Sequence, residues 1–166
     1  MEEAEMNPTR KSNRLKTYDY SQNGAYFITF CVEDRKCLLS HIVGATLGRP
    51  AYARLTEMGK AAEYAILRIP HCYQDVRVEK YVIMPNHIHL LLMIDTLPGR
   101  PRVAPTVSRV IQQTKGLATK QIGRNIWQKS FHDHVIRTES DYQMIWEYID
   151  TNPARWEQDC FYTEEP

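Results

Sequence analysis

His87 and His89 stand two residues apart in the run YVIMPNHIHLLLMI, residues 81–94. On a β-strand that spacing puts both imidazoles on one face, where two neutral ring nitrogens can hold one cation. Ile88, Leu90, Leu92 and Ile94 then point the other way, into a core. Pro85 and Asn86 suit the centre of a tight turn, so the pattern predicts a hairpin with strands over 76–84 and 87–94 and both histidines beside its turn. Spacing alone leaves two readings open, a metal site on a rigid support and an ordinary polar strand face. His132 and His134 form a second pair of this kind, which leaves a four-histidine zinc site as a rival.

A second constellation lies near the carboxyl end, in DYQMIWEYIDTNPARW, residues 141–156. Read as a helix, it turns Tyr142, Ile145, Trp146 and Ile149 to a core and places Tyr148 and Asn152, four apart, side by side on one flank. A phenol and an amide oxygen thus share an edge that can lean over a neighbouring strand. A boundary tyrosine covering the core edge is the other reading of that flank.

The elements that must carry these groups are legible in order. AYFITFCV (25–32) is rich in β-branched and aromatic residues and reads as a first strand; residues 34–54, with Gly44, Gly48 and Pro50, read as a loop or small hairpin insertion. Leu55 to Ile69 has helical spacing and stops at Pro70. After the hairpin of 76–94, Pro98, Gly99, Pro101 and Pro105 mark a loop to a second helix, capped by Thr106 and ended by Gly123, with Arg109, Lys115 and Lys120 on its flanks. Trp127–Arg137 reads as a fourth strand. A last helix runs from about Ser140 to near Asn152, where Pro153 disfavours its continuation. The order strand, helix, strand, strand, helix, strand predicts an α+β fold, a ferredoxin-like βαββαβ antiparallel sheet with an additional C-terminal helix carrying the tyrosine.

With this order in hand, the octet Met84-Pro85-Asn86-His87-Ile88-His89-Leu90-Leu91 resembles the signature of the single-tyrosine HUH transposases, in particular the REP-associated tyrosine transposases. Tyr148-Ile149-x-x-Asn152-Pro153-x-x-Trp156 resembles the tyrosine helix of the same family, and Trp127-Gln128, Phe131, Asp133-His134 and Ile136-Arg137 fit its pattern. The resemblance covers about residues 20–159. It implies that Tyr148 is a nucleophile, that His87, His89 and Asn152 hold Mg²⁺ or Mn²⁺, and that the substrate is single-stranded DNA folded into a hairpin, cut through a 5′-phosphotyrosine intermediate. Asn152 departs from the glutamine often found there in the wider family. By the same resemblance, Lys115 is the best matched backbone-holding residue, with Arg109 and Lys120 beside it, and His134 and Arg137 support the site or contact DNA. Related transposases act as homodimers that exchange the tyrosine helix or as monomers.

Composition bounds these readings. At 166 residues the chain is one domain, taken as 18–159 between a mobile N-terminal arm (1–17) and an acidic C-terminal tail (160–166). Its net charge of +1 conceals an uneven distribution, because Arg100–Arg137 holds eight basic residues against Asp133 alone, while Thr138 onward holds eight acidic residues and only Arg155. A basic middle can therefore meet phosphates although the whole is near neutral. Cys31, Cys37, Cys72 and Cys160 show no ligand spacing and read as reduced thiols. No apolar run predicts a membrane span or a signal peptide, so the expected place is the cytoplasm. Two rivals stand beside the strand transferase: a non-catalytic single-stranded nucleic-acid-binding module on the same frame, and a metal-dependent phosphodiester hydrolase that uses water.

Overall fold

The computed structural model of the chain describes Asp19, residues 22–96 and residues 105–164. The expected arm over 1–17, the loop residues Pro98, Gly99 and Pro101, and the basic residues Arg100 and Arg102 lie outside the described residues. The elements follow in the order β1 (Gly24–Cys31), β2 (Ser40–Val43), β3 (Tyr52–Leu55), α1 (Glu57–Leu67), α2 (Ile69–Cys72), β4 (Val76–Ile83), β5 (His87–Ile94), α3 (Val107–Ile122), β6 (His132–Ile136) and α4 (Glu139–Thr151). A 3₁₀ segment, Asn152–Gln158, continues from α4.

Strands β4, β5, β1 and β6 form one antiparallel sheet in that spatial order, the ferredoxin-like arrangement the element order predicts, with β2 and β3 as a separate hairpin. Alternation along β5 divides the molecule. Ile88, Leu90, Leu92 and Ile94 enter a core with Tyr26, Ile28 and Phe30 under α1 and α3, whereas Leu91 packs with Ile145 and Ile149 of α4 on the other face. His87 and His89 share the parity of Leu91 and so open toward α4. In β4 a bulge between Val78 and Lys80 reverses the parity. Val76 and Val78 therefore join the main core and Val82 the α4 side.

The boundaries depart from expectation where side chains rather than periodicity decide them. Thr56 caps α1 by accepting from the Gly59 amide at 3.1 Å, so the helix begins at Glu57 and makes three turns, not four. Pro70 sits in the first turn of α2 instead of ending α1. The fourth strand is confined to 132–136, and Trp127 contributes a single bridge to Val32. The segment 34–54 does contain a hairpin, with Ser40 opposite Leu55. Gly123 ends α3 with φ 86°, and Thr106 caps its start. Among the described residues, no helix is long and apolar enough to cross a membrane.

Gly59 fixes how closely α1 approaches the segment before β2. A Cβ built there would lie 2.0 Å from the Leu39 carbonyl oxygen, and Thr56 Oγ1 donates to the neighbouring Leu38 carbonyl at 2.6 Å. Gly59→Ala should therefore cost about 1–3 kcal/mol, the range of overpacking, measured by urea unfolding. An unchanged midpoint would show that α1 can slide away from residue 39.

Candidate active site

β5 is hydrogen-bonded on both sides, with Thr29 opposite His89 and Cys31 opposite His87 on β1. The two imidazoles are consequently rigid and sealed, 0 % and 2 % exposed, and their Nε2 atoms lie 3.0 Å apart. Each ring is held from behind. His87 Nδ1 meets Asn86 Oδ1 at 2.8 Å, and His89 Nδ1 meets Thr29 Oγ1 at 2.7 Å. From α4, the Tyr148 hydroxyl reaches His89 Nε2 at 3.3 Å, while Phe27 stacks on His89 and meets the Tyr148 ring edge-on. The phenol and both imidazoles thus belong to one cluster within one chain.

Asn152 lies one turn beyond Tyr148, where α4 gives way to the 3₁₀ segment, and is 2 % exposed. Its Nδ2 donates to Asp159 Oδ2 at 3.1 Å, and its Oδ1 is buried with no hydrogen-bond partner. A buried, orphaned amide oxygen on a residue whose Nδ2 bonds the carboxylate facing His87 is the kind of donor a bound cation would satisfy. Asp159 completes the set: its carboxylate, 3.7 Å from His87 Nε2, and one nitrogen from each histidine all lie within 4.8 Å of one another. Two imidazole nitrogens with oxygen donors suit Mn²⁺ and related divalent ions, and Mg²⁺ less well.

Sequence reasoning brought together His87, His89, Tyr148 and Asn152 and missed Asp159. No periodicity marks it. The 3₁₀ segment folds the chain back so that Asp159 and Phe161 cover the histidines, with the Phe161 ring 4.6 Å from that of His87. The second histidine pair does not join the cluster. His134 instead bonds Asp141 Oδ2 at 2.7 Å and so ties β6 to the first turn of α4.

The basic residues sit elsewhere. α3 lies across the sheet from the histidines, and Arg109 and Lys120 are exposed on it, as is Arg137 after β6. Lys115 is partly buried and donates to the carbonyls of Gln128 and Ser130, each at 2.9 Å, above the Phe30 and Phe131 rings. Burial pushes its amine down to about 8.

Burial also sets the protonation of the cluster. It pushes His87 down to about 3, with Arg35 adding to the effect, so the contact with Asp159 joins a carboxylate to a neutral ring. Burial and the nearby His87 hold His89 well below its usual range, against the opposing pull of Asp159. Tyr148 is pushed up to about 12 by burial first and by the Asp159 carboxylate next, while a hydrogen bond from Asn152 opposes the rise. Both imidazoles are therefore neutral, the charge state in which a ring nitrogen can ligate. The phenol keeps its proton until something positive is placed beside it.

No family model matches the chain. An uncharacterized protein of Haemophilus influenzae is 31% identical over 93% of this chain and 94% of its own length. The REP-associated tyrosine transposase of Escherichia coli is 24% identical over 82% of this chain and 70% of its own length. Among solved structures, that of a REP-associated tyrosine transposase bound to a REP hairpin superposes with a TM-score of 0.62 at 24% identity, over 86% of this chain and 73% of that one, a match of fold. Sequence motifs, a ferredoxin-like sheet with the tyrosine helix laid over its histidines, and named relatives that span most of the chain agree: it belongs to the REP-associated tyrosine transposase family of single-tyrosine HUH transposases.

Proposed function

We propose that the chain is a DNA strand transferase that cuts single-stranded, hairpin-forming DNA with Tyr148 and rejoins the ends through a 5′-phosphotyrosine intermediate. The observation that carries this reading is the 3.3 Å approach of the Tyr148 hydroxyl to His89 Nε2. Because both groups come from one chain, a monomer suffices. The catalytic unit is residues 18–159, to which Phe161 of the acidic tail adds a cover over the histidines, and the four free thiols fit a cytoplasmic setting.

In the reaction, the Tyr148 oxygen bonds to phosphorus in line as the bond from phosphorus to the 3′ oxygen breaks. The phenol loses its proton and the 3′ oxygen gains one, leaving a 5′-phosphotyrosine and a free 3′ hydroxyl. Attack by another DNA 3′ hydroxyl exchanges one phosphodiester for another, so no nucleotide cofactor is needed. His87, His89 and Asn152, with Asp159 alongside, would hold Mg²⁺ or Mn²⁺, which supplies Lewis-acid withdrawal of charge from the scissile phosphate. Phe161 covers the imidazoles against water, and Phe27 packs against the ring of Tyr148. His134, through Asp141, steadies the helix that carries the nucleophile. Arg109, Lys120 and Arg137 supply exposed charge for the DNA backbone, and Lys115 braces the 128–130 turn next to them. Since His87 is sealed under the Phe161 ring, a phosphodiester would reach a metal held there by displacing Phe161 and the residues after it, with Asp159 kept as a donor.

The relatives' hairpin supplies the test. A hairpin labelled at its 3′ end, mixed with the protein and Mn²⁺ and run on a denaturing gel, should yield a labelled protein band. A binding module yields no cleavage, and a hydrolase yields only free DNA. Tyr148→Phe should lower the covalent band by about 10³-fold or more while leaving hairpin affinity within about threefold, as expected for removal of a nucleophile. A band that survives the substitution would overturn the assignment.

Metal binding has its own readout. Mn²⁺ should raise the thermal midpoint of the full chain, and His89→Ala should abolish that rise. Because His87 stays neutral down to about 3, the rise should persist at pH 5.5, where a site of ordinary histidines, pKa ~6.5, would be mostly protonated. Its disappearance at pH 5.5 would show that the buried rings take up protons as free histidines do.

A further inference from the structure

Turn asparagines ordinarily face solvent, yet Asn86, between β4 and β5, is 0 % exposed. Its amide is used at both ends. Nδ2 points at the carbonyl oxygens of Phe161 (2.8 Å) and Arg35 (3.2 Å), with the Thr163 hydroxyl at 3.3 Å. Carbonyl oxygens only accept, so the amide cannot be flipped without setting oxygen against oxygen, and Oδ1 must be the atom that faces His87. Since Oδ1 also only accepts, the proton in its 2.8 Å contact belongs to His87 Nδ1. The lone pair of His87 is left on Nε2, inside the cluster.

His89 is held differently. Its Nδ1 partner, the Thr29 hydroxyl, can donate or accept. With His87 Nε2 fixed as an acceptor, the 3.0 Å approach of the two Nε2 atoms is a hydrogen bond donated by His89 in the metal-free protein. The chain of donors then runs in one direction, from Thr29 to His89 to His87 to Asn86 to the Phe161 carbonyl. For His89 to ligate, its proton must move to Nδ1 and the Thr29 hydroxyl must turn to accept it. His87 needs no such change.

We infer that Asn86 is a positioning residue for the proposed metal site: one carboxamide presets His87 in the ligating tautomer and ties the segment bearing Asp159 and Phe161 across the same ring. This rests on the proposed function only in taking the histidines as ligands. The tautomer itself is a property of the protein without metal or DNA.

Long-range ¹H–¹⁵N correlation spectra of the metal-free full chain should show His87 protonated on Nδ1 and His89 on Nε2. In Asn86→Ala, His87 should revert to the Nε2–H form that neutral histidine prefers, and Mn²⁺ affinity measured by calorimetry should fall by about 10–100-fold, the usual effect of losing a partner behind a ligating imidazole. In Asn86→Asp the carboxylate still accepts from Nδ1 but no longer donates to Phe161, so the tautomer should persist while deuterium exchange over 159–163 quickens by about fivefold or more. Should Asn86→Ala fail to fold, the aspartate variant carries the test. His87 found as Nε2–H in the parent or in Asn86→Asp, or Nδ1–H retained in a folded Asn86→Ala, overturns the inference. A lost tautomer with unchanged Mn²⁺ affinity likewise overturns the positioning role. The expected tautomers in a protein that binds no Mn²⁺ and forms no adduct would instead sink the proposed function and leave the role of Asn86 in setting the His87 tautomer intact.

Discussion

Two imidazole nitrogens held 3.0 Å apart in a sealed site are the constraint from which the rest of this structure follows. Free histidines would separate or protonate; these do neither. β5 is paired on both sides and cannot move, and burial refuses the proton that would otherwise relieve lone-pair crowding. The remaining solutions are a hydrogen bond between the rings or a cation bound to both. Asn86 and Thr29 make the first available in the resting protein and the second accessible at the cost of one rotated hydroxyl and one relocated proton.

The same constraint gives α4 its task. Ile145 and Ile149 anchor the helix on Leu91, one position beyond His89 on the same face, and so carry Tyr148 over the rings. Burial that serves the histidines works against the phenol, whose ionisation it pushes up to about 12. Under the proposed function, positive charge entering the site would bring the phenol down again and so couple Tyr148 to occupancy by an ion. Asp159 plays both parts, raising the phenol while it faces His87 and completing the donor set for the charge that would lower it.

How much of this was legible follows from what periodicity can encode. Alternation in HIHLLLMI gave the two faces of β5, and Thr106 and Gly123 bracketed α3 correctly. Tyr148 and Asn152 were paired by helical spacing and do meet at the site. The bulge in β4 was hidden because an extra residue leaves no compositional mark. Asp159 and Phe161 were unreadable for a related reason. They return to the histidines through a 3₁₀ segment with an interior kink at Arg155; Phe161 meets Asn86 and Arg35, far away in the chain, and Asp159 meets Asn152, whose side chain could as well have faced water. Asn86 read as a turn former, which it is, and nothing in the turn announces that its amide spans two parts of a site.

Under the proposed function, the placement of charge adds a condition on the substrate. Tyr148 and the two histidines lie on the α4 face, while Arg109 and Lys120 lie on α3, across the sheet. A duplex laid flat on either face would meet only one of these sets. β6 is one of the two outer strands, with His134 on it and Arg137 directly after it, so under the proposed function a strand that touches both sets would have a path around that edge. Single-stranded DNA bends through such a path readily and a duplex of the same length does not, because smooth bending of 20–30 base pairs by 40–90° costs about 1–6 kcal/mol. Under the proposed function, a hairpin with an unpaired flank would meet the condition at least cost, its stem held by the cations of one side and its free strand turned over β6 toward Tyr148.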